Sequence, residues 1–189
     1  MRKWIRTNGW PGGKLSGKRR NRLTIHQIHP TDTPVLRQDY ILREIERMVE
    51  FCLRAAGLKK PDAVADFEEF LEDNCELLTG LPLQTLLDTG AQKLVALLYH
   101  PGTAKLPQLV SCGAWLCEAA DASLLSGRSS EARHLFLQGV QILGFMASQH
   151  GHENEFFPLH NHLRRLRERL PDYQFGSEEE SKILAFLSL

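Results

Sequence analysis

Residues 115–147 constrain this chain more than any other stretch. Ala119, Ala120 and Ser123 place small side chains on one helical face before Gly127, and Leu135, Phe136, Val140 and Leu143 place bulky ones after it. Small against bulky lets two backbones approach closely and bury a shared face. The pattern therefore predicts two antiparallel helices folded back across Gly127, a residue suited to the left-handed end of a helix. One such hairpin cannot bury its face alone, so the remaining segments are expected to pack around it.

Those segments also read as helices. Ile41, Ile45, Met48, Val49 and Cys52 form one apolar stripe on a helix opening near Gln38 or Asp39, with Glu50 and Arg54 spaced for an i,i+4 pair. A second helix is expected from Pro61, carrying Val64, Phe67, Leu71, Cys75 and Leu78 inward. Its acids Asp66, Glu68, Glu69, Glu72, Asp73 and Glu76 read as a solvated face. Gly80-Leu81-Pro82 ends it, and two short helices follow, Pro82 to Asp88 and Ala91 to Tyr99. The hairpin helices are expected from Leu106 to Leu125 and, capped by Ser129 or Ser130, to about Ser148. Leu159, Leu163, Leu166 and Leu170 mark another helix, and Ser177-x-x-Glu180 is a capping box opening the last. The terminal apolar residues Ile183, Leu184, Phe186 and Leu187 must dock on the body or on a second copy. No segment alternates with period two. The expected fold is all-α: antiparallel helical hairpins in a solenoid or bundle, one domain over residues 36–189.

The neutral net charge conceals an asymmetry. Residues 1–34 hold eight Lys and Arg against Asp32 alone, a charge of +7, which leaves −7 on the rest. We read residues 1–35 as a disordered basic tail, or as sequence upstream of the true start, because the compact pattern begins abruptly after Val35. As an arm with Trp4 and Trp10, the same residues would suit phosphate and base contacts. No apolar run reaches the roughly 18 residues of a membrane span, and no secretory signal is visible. Cys52, Cys75, Cys112 and Cys117 form no C-x-x-C pair and read as buried, reduced thiols of a cytoplasmic protein.

Candidate chemistry is sparse. His150, His152, Glu153, Glu155, His160 and His162 have ligand chemistry, but His160 and His162 lie two apart and project to opposite sides of a helix. The four histidines remain weak candidates, with no metal assigned. Cys112 and Cys117 have no neighbouring histidine to activate them, and Gly9-Trp-Pro-Gly-Gly-Lys14 lacks the phosphate-loop spacing. No catalytic residue and no cofactor is assigned.

The hairpin resembles a tetratricopeptide-type repeat unit in Gly127, Glu131-Ala132, Phe136 and Gly139. Leu116 stands where that repeat usually has an aromatic, and the terminal proline is absent. The chain is also similar to a family of small all-helical bacterial proteins of unknown function. That likeness is carried by Gln38-Asp-Tyr-Ile-Leu-Arg-Glu-Ile-Glu46, Glu76-Leu-Leu-x-Gly80-Leu-Pro-Leu83 and the hairpin. It implies a helical fold and a bacterial cytosol, and no reaction.

The leading expectation is a non-catalytic interaction or scaffold module that binds a protein segment or itself. Trp115, Glu118 and Ser123, with His134 and Gln138 opposite, are expected to line an exposed groove of the hairpin. One alternative is a nucleic-acid-binding regulator using the basic arm and the Arg164, Arg165, Arg167 and Arg169 face. Another is a metal-dependent enzyme centred on the histidines.

Overall fold

The computed structural model describes residues 34–100, 105–150, 152 and 157–187. Its helices are α1 (Pro34–Leu58), α2 (Val64–Thr79), α3 (Leu83–Asp88), α4 (Ala91–Leu98), α5 (Leu106–Leu125), α6 (Ser129–His150), α7 (Phe157–Arg169) and α8 (Ser177–Leu187). A 3-10 turn, Leu170–Tyr173, joins the last two. Among the described residues there is no strand, and the fold is all-α.

The α5–α6 hairpin is the centre of the molecule. Gly113 and Gly139 let the two helices touch backbone to backbone. A Cβ on Gly139 would lie 2.5 Å from Cys117 Sγ and 2.7 Å from the Gly113 carbonyl oxygen. Gly127 turns the chain at φ +74°. The Arg128 N–H donates to the Ser123 carbonyl at 2.8 Å and the Gly127 N–H to that of Leu124 at 3.0 Å, which satisfies the last carbonyls of α5.

α5 is apolar on nearly every side, and the fold treats it accordingly. α6 covers one face, while α1 and α2 cover the others. Every residue from Leu109 to Ser123 is buried. The Trp115 indole N–H reaches across to the Leu71 carbonyl at 2.9 Å, pinning α5 to α2. At the hairpin tip Arg128 bridges Glu68 of α2 at 2.6 Å and Glu131 of α6 at 3.0 Å. Glu68 is thus a structural member of the acidic helix, while Asp66, Glu69, Glu72, Asp73 and Glu76 are exposed as expected.

Several expected boundaries shift for local reasons. α1 begins a turn early, at Pro34. α2 begins at Val64, because Pro61 and Asp62 form a turn closed by the Ala63 N–H on the Lys60 carbonyl. Ser129 and Ser130 both lie inside α6, whose Ala132 N–H bonds the Arg128 carbonyl. Ser177 likewise falls inside α8, with Gly176 accepting the Glu180 N–H in place of a capping box. The Glu50–Arg54 pair gives way to Arg54 lying 5.6 Å over the Phe70 ring, and Arg47 pairs with Glu44. The C-terminal apolar residues dock on the body. Ile183 and Leu187 are buried, and Phe186 packs where Gly144 of α6 leaves room.

Candidate functional site

Glu118 and Asp121 stand one turn apart on α5, in the interior, where an unpaired carboxylate would be costly. Three other elements bring partners. Lys59, just after α1, lies 2.6 Å from Glu118 Oε2 and 2.6 Å from Asp121 Oδ2. The Glu118 contact is a charge contact without hydrogen-bond geometry, since that oxygen accepts no hydrogen bond. Arg169, the last residue of α7, lies 3.3 Å from Glu118 Oε1, pairs with Asp121 and donates to the Cys117 carbonyl at 3.2 Å. The Tyr173 hydroxyl, from the 3-10 turn, donates to Asp121.

The electrostatics follow from burial and pairing. Burial alone would raise the Asp121 pKa, but Arg169 and Lys59 outweigh it and hold the carboxyl below its ordinary value. Burial and the Asp121 carboxylate push the Tyr173 phenol up. Burial likewise pushes up the nearby Cys52 and Cys117 thiols. His162 of α7 is buried close by, its Nε2 without a hydrogen-bond partner. Burial first, then Arg169 and Lys59, push its pKa down to about 3. Two anions meet two cations, and both carboxylates are already engaged. What this centre does is tie α7, the 3-10 turn and the end of α1 to α5.

The residues expected to form an exposed hairpin groove do not form one. Trp115 and Ser123 are fully buried and Glu118 is 2% exposed, because α1, α2 and the end of α7 cover the side of α5 that hairpin logic leaves open. Gln138 is buried as well, and its Nε2 lies 3.0 Å from the ring Nε2 of His134, which is exposed. The arginine face is also incomplete. Arg164, Arg165 and Arg167 are exposed, but Arg169 turns inward to the carboxylates. The histidines are dispersed: His150 is buried beside the Tyr99 ring, His152 is exposed, His160 half-buried and His162 buried. Among the described residues no group of three or more His, Cys, Asp or Glu is placed to hold a metal ion. Glu153, Glu155 and the basic arm of residues 1–33 lie outside the described residues. No described helix is long and apolar enough to cross a membrane.

The open feature lies elsewhere, between α1 and α2. Arg47, Glu50, Phe51, Arg54, Phe70, Asn74, Leu77 and Leu78 line a shallow, open hollow of about 30 Å³. Phe51 and Phe70 stack at 5.4 Å between ring centres as its floor. Asn74 donates to the Phe70 carbonyl at 2.7 Å and so is held in place. Sequence reasoning passed over this groove because its residues, Leu78 apart, sit beside the apolar stripes and not on them. It also passed over Lys59, Asp121 and Tyr173. The readable signal for those was two acids one turn apart in an otherwise apolar helix, which requires cations from elsewhere.

Comparison of the chain with protein-family models, with curated proteins and with solved structures gives no match.

Proposed function

We propose that the chain is a non-catalytic helical interaction module, a small scaffold that takes a short protein segment into the α1–α2 groove. The observation that carries this reading is the make-up of the groove: a stacked Phe51–Phe70 floor, Leu77 and Leu78 beside it, and the Arg47 and Arg54 guanidiniums at its edge. An apolar side chain fits such a floor, and a carboxylate next to it would meet the planar donors of the arginines. Both walls belong to helices anchored on the buried hairpin, so a ligand would meet a surface needing little reordering. The four buried free cysteines support a reducing, cytoplasmic setting. We read the α5–α6 hairpin as a single tetratricopeptide-like unit in a bacterial protein whose binding face is the α1–α2 groove.

The test is capture from native lysate with the intact chain, quantifying protein, nucleic acid and metal in one eluate. The reading expects a stoichiometric protein partner that is lost with Arg54→Glu and Leu77→Glu combined, while circular dichroism of the variant stays unchanged. An eluate holding only bait, nucleic acid or metal overturns the reading. So does a partner that the variant retains.

A further inference from the structure

We infer that α1 is also a self-association surface, on which two copies of this chain pair antiparallel about a two-fold axis. This goes beyond the groove, whose lining shares only Glu50 and Arg54 with the edge of that surface.

α1 divides into sectors. Ile41, Ile45, Met48, Cys52 and Ala55 are buried toward the core, and Phe51 faces α2 through its stacked partner Phe70. At about 100° per residue, Leu42, Val49 and Leu53 share an arc of about 40° lying opposite Phe51. Leu42 is 39% exposed and Leu53 56% exposed, two of the large apolar side chains the fold leaves uncovered. Asp39, Arg43, Glu50 and Arg54 line one edge of this arc, and all are exposed. Among the described residues none of these four forms an ion pair within the chain, the α1 pair being Arg47–Glu44.

The exposed charged edge of this helix is self-complementary. About a midpoint between Glu46 and Arg47, antiparallel pairing sets Asp39 opposite Arg54 and Arg43 opposite Glu50. Acid therefore meets base in both pairs along the exposed edge. A two-fold contact is by nature self-matching, with residue i against j and j against i, so this antisymmetry of charge is what such a contact requires. In that register Leu42 and Leu53 of opposite copies lie about 3 Å apart along the axis at 1.5 Å per residue, close enough to cover one another. The ion pairs set orientation and register, while the covered leucines supply most of the stabilisation.

Sedimentation equilibrium of the full chain over a micromolar concentration series tests this. The wild type is expected to reach twice its 21.5 kDa mass, and Leu53→Glu to stay at the single-chain mass with unchanged circular dichroism. Arg43→Glu is expected to weaken association on the order of tenfold, and Arg43→Glu with Glu50→Arg to restore it. All three residues are exposed, so each variant keeps the fold. A wild type that stays at single-chain mass overturns the inference. A dimer indifferent to Leu53→Glu, or a double swap no tighter than Arg43→Glu, overturns it equally.

Discussion

His162 is a histidine packed beside cations, and its titration should be visible in the stability of the whole fold. Burial, with Arg169 and Lys59 nearby, pushes its pKa from 6.5 down to about 3. The unfolded chain then binds a proton near pH 6.5 that the folded chain refuses. Above that pH the site has no effect on stability. Between about 6.5 and 3 it costs about 1.4 kcal/mol per pH unit. Asp121 acts over a more acidic range. Its carboxyl is held below the ordinary 3.8, so the stabilisation from its pairing is complete above that value and is lost as pH falls through the depressed one. We expect urea titrations from pH 7 to pH 5 to show the histidine slope in the wild type and its loss in His162→Phe. Equal slopes would contradict the assignment. The spacing of His160 and His162 predicts that they diverge, and the structure leaves His160 half-buried and buries His162. That His162 would turn toward Arg169 and Lys59 was not readable, because it depends on how α7 docks.

At the scale of the element, the hairpin crossing depends on having no side chain at Gly139. A methyl there meets the Gly113 carbonyl and Cys117 backbone, neither of which can rotate aside. Gly139→Ala is therefore expected to destabilise the protein by about 1–3 kcal/mol, as overpacking does. An unchanged urea midpoint would show that the helices have room to separate. Small-against-large patterning made this crossing legible, and apolar stripes marked the longer helices while glycine and proline breakers placed α3 and α4. The ends were less legible, as at Pro61, Ser129 and Ser177, where one backbone hydrogen bond decides which residue caps. The larger misreading was α5. A hairpin treated alone has an outer face, so Trp115, Glu118 and Ser123 looked available for binding. Near-continuous apolarity from Leu106 to Ala122 was the contrary signal, that of a helix covered all round.

For the molecule as a whole, the charged centre and the outer surface of α1 have separate tasks. Lys59, Glu118, Asp121, Arg169 and Tyr173 come from positions up to 114 residues apart in sequence, counting from Lys59 to Tyr173. No local pattern could assemble them. Once assembled, they resemble catalytic chemistry in composition, yet each charge is engaged by its neighbours. Buried pairs of this kind contribute little compared with apolar packing, but losing one partner leaves a costly unpaired charge inside. The surface groups that remain available, Arg54 and Phe70 in the groove and Leu42 and Leu53 on the outward arc, lie on α1 and α2. The central claim is that the buried charges form a clamp, and a double-mutant cycle on Asp121→Asn and Arg169→Gln tests it most directly. Each single change is expected to cost about 3 kcal/mol in urea unfolding at pH 7, and the double change to cost less than their sum by about 1–3 kcal/mol. Losses that add to within about 0.5 kcal/mol would contradict the clamp.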